Sequence, residues 1–349
     1  MHPYPREFEV TGFIFNNTNI VMIKRELASR MEKIEELLKR RNLKGIILFN
    51  HYVFENPNFI YTTNCNELGF YILNKNEPSL FTFNSKVKTP IKRVLIKKLQ
   101  NLPRLKGSFG IDEKYIQTNI YHAIKKITKT RLVDITNDLE QIRSIKSVHE
   151  ITTMRQACRI AEKVYNGSER FMHEHNEEIV VRSDIEKEMA KHGVYPSFPT
   201  IVASQENIIN PHHVAGKKII EKPILVDFGI KYEHYCTDAT RTIGSKYEKL
   251  IIQIMNAVEG MLRPCTKVST IDRFVRKKMG NLQKYFTTSL GHGVGLAVHE
   301  FPTISSQSKD VLREGMVVTI EPGIYIRNGI RIENMYLITK DGCENLTNF

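Results

Sequence analysis

Between Arg25 and Arg41 apolar residues recur at helical spacing, at Leu27, Met31, Ile34, Leu37 and Leu38, with charges filling the intervals. This predicts an amphipathic helix. The apolar run "GIILFN" (45–50) predicts a buried strand, and "FIYTTN" (59–64), "FYILN" (70–74) and "SLFTFN" (79–84) predict three more, with "NEP" (76–78) as a turn. "IKRVLIKKLQNL" (91–102) reads as an amphipathic helix, "GSFGID" (107–112) as a strand and "TNIYHAIKKIT" (118–128) as a helix. Alternation of strands and helices predicts an α/β N-terminal domain of two or three layers over residues 22–143. A long helix is predicted from Thr136 past Lys163, with the domain boundary inside it. Beyond it, residues 144–349 show helices over 157–175, 182–192 and 246–262 and strands over 223–230, 235–243, 315–321 and 330–339. That order predicts an α+β domain with antiparallel strands. Residues 1–21 stand apart as an N-terminal extension, either an added strand or an arm.

Composition narrows the class. The 349 residues are 41% hydrophobic and 26% charged, as in an ordinary globular protein with room for two cores. No apolar run reaches membrane-spanning length, so no membrane association is expected. The start "MHPYPREFEV" lacks the pattern of a secretory signal, and the five scattered cysteines form no CxxC pair. A reducing cytoplasm is the expected compartment. The net charge is +13, of which residues 1–150 carry +10 (25 Lys+Arg against 15 Asp+Glu). Those charges are interleaved with acids on helical stretches, as in "RELASRMEKIEELLKRR", and no basic-aromatic platform accompanies them. A solvated surface is expected there, and nucleic acid is not an expected partner.

The second domain holds the chemistry. In "PILVDFGIKYEHYCTDATRTI" (223–243), Asp227 and Asp238 are equidistant from the point between Tyr232 and Glu233. A regular hairpin centred there would oppose them, with Cβ atoms about 5 Å apart. Facing carboxylates repel unless a cation lies between them or water screens both. Both readings are open for the pair alone. Glu321 ends the apolar strand "MVVTIEPG", and Glu333 lies inside the apolar "GIRIENMYLIT", where an unpartnered carboxylate is rarely buried. The "RNG" (327–329) hairpin signal, taken as a two-residue turn, would pair Glu333 with Ile324 and leave Glu321 elsewhere. "GHGVGLAVHEFP" (291–302) sets His292 between two glycines and adds His299, and "NPHH" (210–213) adds two further histidines. A histidine in such a run is either structural or a ligand. Four histidines and four carboxylates in one domain favour a metal centre.

The ordered set "VDFG", "TDATRT", "GHGVGLAVHE", "TIEPGIY" and "GIRIEN" resembles the pita-bread metallopeptidases, the fold of methionine aminopeptidase, aminopeptidase P, prolidase and creatinase. The resemblance covers about residues 22–349, and its N-terminal part is similar to the domain found in the prolidase, aminopeptidase P and creatinase branch. Carried over residue by residue, it implies that Asp227, Asp238, His292, Glu321 and Glu333 ligate two divalent ions per subunit. Asp238 and Glu333 would bridge them. Mn²⁺ or Co²⁺ suits an oxygen-rich set with one imidazole, as do Fe²⁺ and Zn²⁺. His212 and His299 would be catalytic and bind substrate, with Glu321 catalytic as well as a ligand. Phe198 and Ile201, near Tyr195, would line a proline pocket, and Arg331 would contact substrate or the carboxylates, with Thr240 beside them.

The implied activity is hydrolysis of the bond between an N-terminal residue and proline in short Xaa-Pro peptides, by a homodimer. The alternative is an inactive pita-bread module that binds protein or nucleic acid through its basic N-terminal domain. Such modules have degraded ligand sets, whereas all five positions are filled here. One departure concerns specificity. Dipeptide-specific prolidases often carry Arg directly after the HE-x-P motif, and this chain has Thr303.

Overall fold

The computed structural model describes residues 17–51, 53–87, 89–172 and 176–349. Residues 1–16 of the predicted extension lie outside that set. Contacts divide the chain into two compact units, residues 1–139 and 140–349.

In the first unit the elements run α1 (Asn17–Arg41), β1 (Gly45–Asn50), α2 (Pro57–Thr63), β2 (Gly69–Asn74), β3 (Glu77–Thr82), β4 (Lys92–Leu95), β5 (Ser108–Ile111), α3 (Thr118–Thr128) and β6 (Arg131–Asp134), and α4 (Thr136–Ser144) runs across the boundary into the second. The strands form one mixed sheet in the order β4-β3-β2-β1-β5-β6. Ile47, Phe49, Phe70, Phe109 and Ile124 are among its core residues.

Two expectations fail here for local reasons. "FIYTTN" is helical, although its residue types favour a strand. Asn56 caps α2 by accepting from the backbone of Asn58 and Phe59, Pro57 occupies the first turn, and Asn64 closes the helix in the left-handed region. All seven residues of α2 are buried, so no polar face reveals its period. Residues 91–102 contain no α-helix. Lys92–Leu95 instead form the edge strand β4, parallel to β3, and Ile96 N donates to Thr82 O at 2.9 Å.

The second unit continues with α5 (Val148–Ser168), α6 (Glu178–Lys191), β7 (Tyr195–Pro196), β8 (Ile201–Ser204), β9 (Ile224–Phe228), β10 (Ile230–Tyr232), β11 (Tyr235–Cys236) and β12 (Ala239–Ile243). Then come α7 (Glu248–Glu259), α8 (Val268–Met279), β13 (Gly291–Gly293), β14 (Glu300–Ile304), β15 (Val317–Ile320), β16 (Gly323–Ile324), β17 (Ile330–Arg331), β18 (Asn334–Ile338) and β19 (Cys343–Asn345). The predicted long helix is two helices. Ile145 bridges to Met316, and Ser147 starts α5 with a capping box, accepting from Glu150 N while its own N–H meets the Glu150 carboxylate. Helix α8 was not anticipated.

The unit has two α+β leaves. In one, α5 and α6 cover the sheets β12-β9-β8 and β11-β10-β7 through Val164, Val181, Ile185, Met189 and Phe228. In the other, α7 and α8 cover the sheet β14-β13-β15-β18-β19 through Ile251, Val258, Ile271, Val275 and Val318. Strand pairings in this unit are antiparallel, as expected. The leaves meet where Glu333 N donates to Thr240 O at 3.0 Å.

Candidate metal centre

The two carboxylates of the first leaf are neighbours, but not directly opposed. Tyr232 pairs with Tyr235 and Asp227 with Thr240. The turn residues are Glu233 and His234, both left-handed (φ 47° and 72°), so the hairpin centre lies one residue later than expected. Asp238, two residues from Thr240, is therefore a diagonal neighbour of Asp227.

The second leaf corrects another expectation. Ile324 pairs with Ile330, not with Glu333. The left-handed residue is Asn328, in a turn where Gly329 N returns to Ile326 O at 2.9 Å. The pairings Ile320 to Asn334 and Gly323 to Arg331 share one register, which sets Glu321 across from Glu333. The interruption between β15 and β16 at Glu321-Pro322 leaves that register intact.

The glycines around His292 have a steric reason. A Cβ on Gly291 would lie 2.0 Å from Thr319 O, and one on Gly293 would lie 2.2 Å from Phe301 O. Only bare backbone lets β13 fit between its two neighbours. His292 Nδ1 lies 3.1 Å from Gly293 O. A carbonyl only accepts, so Nδ1 carries the proton and Nε2 presents its lone pair. Nε2 is 3.6 Å from both Asp238 Oδ2 and Glu321 Oε1.

Among the described residues, ligand atoms of Asp238, His292 and Glu333 gather within 4.8 Å of one another. Asp227 and Glu321 adjoin this group, and every member is largely buried. Burial, then repulsion from Glu333, Asp227 and Glu321, raises Asp238 well above the usual carboxylate range. Burial and the same kind of repulsion raise Glu333. Burial lifts Glu321 to about 7 and raises Asp227, although Arg331 opposes both shifts. Burial beside His299 pushes His292 down to about 3, which keeps it neutral. Arg331 Nη2 donates to Asp227 Oδ2 at 2.6 Å, and Thr240 Oγ1 donates to Glu333 Oε2 at 2.9 Å. The other oxygens, Asp227 Oδ1 and Glu333 Oε1, are buried without a hydrogen-bond partner. Orphaned carboxylate oxygens beside a neutral imidazole lone pair are a donor set that fits divalent cations.

The remaining expected residues are placed as follows. His299 is exposed, and its ring centroid is 4.2 Å from that of His292. His212 is exposed, and its backbone N–H meets Asn210 Oδ1 at 3.1 Å. Next to it, Pro211 O accepts from Arg331 Nη1 at 3.1 Å, so one guanidinium joins this loop to Asp227. His213 is a different case, since its Nε2 lies 2.7 Å from the buried Glu178. Phe198 is half-buried and packs over Gly229, immediately after the Asp227 strand. Ile201 pairs with Asp227 across β8 and β9 and is buried with Ala203, Ile208 and Leu225. Two contacts had no signal in residue type alone. Tyr325 OH lies 3.4 Å from Arg331 Nη1, and Met335 Sδ accepts from Asp238 N at 3.2 Å.

The profile of "Metallopeptidase family M24" matches residues 152–340. A Xaa-Pro dipeptidase of Pyrococcus horikoshii is 34% identical over 91% of this chain and 96% of its own length. The chain belongs to metallopeptidase family M24. Among solved structures, the prolidase of Pyrococcus horikoshii superposes with a TM-score of 0.84 at 31% identity, covering 92% of this chain and 98% of that one. An X-Pro aminopeptidase from Thermotoga maritima superposes with a TM-score of 0.82 over 91% and 97%, and at 24% identity it bears on the fold alone. The M24 protein is thus a pita-bread metallopeptidase preceded by an α/β domain, and its class of chemistry requires a divalent metal. Among its described residues no helix is long and apolar enough to cross a membrane.

The raised carboxyl groups give the M24 site a pH signature. In the metal-free fold Glu321 holds a proton up to about pH 7, whereas the unfolded chain has released its own by then. That proton-linked stability is lost as pH rises through 7. Cation binding must displace the same protons. Between about pH 6.5 and 8, as Glu321 gives up that proton, the metal-free thermal midpoint is expected to fall, and its gap to the metal-loaded protein to widen. The depressed His292 acts only below its unfolded value and leaves that window unchanged. Calorimetric titration in buffers of different ionisation heat would register the released protons. Binding without proton release would contradict the assignment.

Proposed function

We propose that the protein hydrolyses the peptide bond between an N-terminal residue and proline, with two divalent ions held by Asp227, Asp238, His292, Glu321 and Glu333. Asp238 and Glu333, central to the cluster, would be shared between the two. The observation that carries this reading is the buried cluster with two unpartnered carboxylate oxygens around the lone pair of His292. Four carboxylates offset the charge of two divalent cations. Mn²⁺ or Co²⁺ is the preferred metal, with Fe²⁺ and Zn²⁺ as further candidates. When bound, the ions supply a nucleophilic water of lowered pKa and polarise the scissile carbonyl.

The chain's own groups do the rest. His299 donates to the oxygen that gains charge, and His212 carries a proton toward the leaving nitrogen. Glu321, a carboxylate once the cations have displaced its proton, would take the proton from the attacking water. Arg331 favours the ionised form of Asp227 against the effect of burial and fixes the loop that carries His212. Phe198 offers the proline ring an apolar face, and Ile201 supports it from the buried side. The relatives named Xaa-Pro dipeptidase and prolidase support this bond as the one cleaved. A homodimer in the cytoplasm is the proposed setting. An inactive binding module is the weaker reading, because it gives no reason for five buried ligand positions to be filled.

Thr303 bears on substrate length. It is the exposed cross-strand partner of His292, so a side chain there stands beside the site. An arginine at this position would hold a dipeptide's free carboxylate, a charge-assisted bond worth about 1.5–3 kcal/mol. Without it, Ala-Pro and Ala-Pro-Ala should differ in kcat/KM by no more than about tenfold. Thr303→Arg should shift preference toward Ala-Pro. The decisive panel is Ala-Pro, Ala-Pro-amide, Ala-Pro-Ala and Ala-Ala. Equal cleavage of Ala-Ala would overturn the proline reading. A preference for Ala-Pro over its amide of about a hundredfold would overturn the reading of Thr303.

A further inference from the structure

We propose that Glu300 is a positioning residue for the reaction, the centre of a buried charge cluster that holds His299 in its working place. This rests on the reading of His299 as the residue that touches substrate. Glu300 follows His299 directly, and its carboxylate turns away from solvent into the protein. Arg143 Nη2 lies 3.1 Å from Oε1 and Lys146 Nζ 3.3 Å from Oε2, and all three side chains are at most 2% exposed. Arg143 comes from the last turn of α4 and Lys146 from the break between α4 and α5. Glu150, also buried, completes the cluster, which makes two positive and two negative charges.

The cluster grips both chain segments that carry the centre. Glu300 Oε1 accepts from Ala297 N at 2.9 Å, which folds the 294–299 loop around the carboxylate. A Cβ on Gly295 would lie 2.6 Å from Glu300 Oε2, so the loop backbone rests directly against it. Cys236 N donates to Gly295 O at 2.7 Å, and Tyr235 OH donates to Glu150 Oε1 at 2.8 Å. Tyr235 and Cys236 lead into Asp238. Four buried charges stabilise a fold no better than well-packed apolar side chains would. The hydrogen bonds of Glu300 with Ala297 N–H and Lys146 do fix a loop, and a displacement of about 1 Å in a reacting group lowers rates by about 10²-fold.

Glu300→Gln keeps an acceptor for Ala297 N–H but leaves the two cations without their partner. Its kcat on Ala-Pro is expected to fall about 10- to 100-fold, with metal content unchanged and KM within about threefold of the parent. Adding Glu300→Gln to His299→Ala should slow that enzyme by less than about threefold, since a group already absent needs no positioning. If Glu300→Gln does not fold, Lys146→Gln serves, because the Arg143–Glu300 pair remains; a loss of about three- to tenfold is expected, again absent in the His299→Ala background. Beside an impaired His299→Ala enzyme, normal kcat in Glu300→Gln, or losses that multiply in the double variant, overturns the inference alone. Normal kcat in His299→Ala overturns the reading of His299 and the inference with it.

Discussion

Asp238→Ala will bind neither ion firmly and will retain less than about one thousandth of parental turnover on Ala-Pro. Asp238 is buried beside Glu333, Asp227 and Glu321, and burial with that repulsion raises its carboxyl well above the normal range. In the proposed centre a shared cation would turn this repulsion into attraction. Without the central carboxylate the other four proposed ligands should not hold two ions together. The same substitution should not weaken the metal-free fold at neutral pH, because it deletes one of the mutually repelling groups. A metal-free thermal midpoint at or above that of the parent is therefore expected, and Asp238→Asn, which keeps the shape, should behave alike. Elemental analysis and calorimetry check both statements. Two bound metals with full activity in Asp238→Ala would sink the proposed centre.

His299→Ala should separate binding from chemistry. His299 is exposed, with its ring centroid 4.2 Å from that of His292 and tilted 58° to it, but it is not one of the three residues whose ligand atoms converge. Metal content should stay within error of the parent. Loss of one donor aimed at the developing oxyanion lowers kcat by about 10²–10³. That fall corresponds to about 2.7–4 kcal/mol of transition-state stabilisation. KM should change much less, because the contact strengthens only as charge appears. An empty metal site in this variant would mean that His292 and His299 have exchanged roles.

The residues of the centre were legible because their chemistry conflicts with their setting. Carboxylates inside apolar strands, and a histidine between glycines, stand out without any coordinates. Their mutual geometry did not, because strand register depends on which turn residue goes left-handed. Glu233 and His234 shifted one hairpin a residue later, and the turn ending at Gly329 centred another earlier than expected, enough to bring Glu321 opposite Glu333. "FIYTTN" was misread since a fully buried helix shows no periodicity, although Asn56 and Pro57 carried a start signal. The break between α4 and α5 was also written in the chain, as the Ser147–Glu150 capping box, but the continuous helical pattern masked it. Arg143 and Lys146 read as ordinary surface cations. Only the fold shows that Glu300 draws them inside.

The central claim is that two ions in this cluster drive cleavage before proline, and stoichiometric titration tests it most directly. Protein stripped of metal is assayed on Ala-Pro while Mn²⁺ or Co²⁺ is added in known equivalents. The account predicts negligible hydrolysis at the start and a rise that levels off at about two equivalents per chain. Undiminished hydrolysis by the stripped protein, or no hydrolysis of Ala-Pro at any loading, would contradict it.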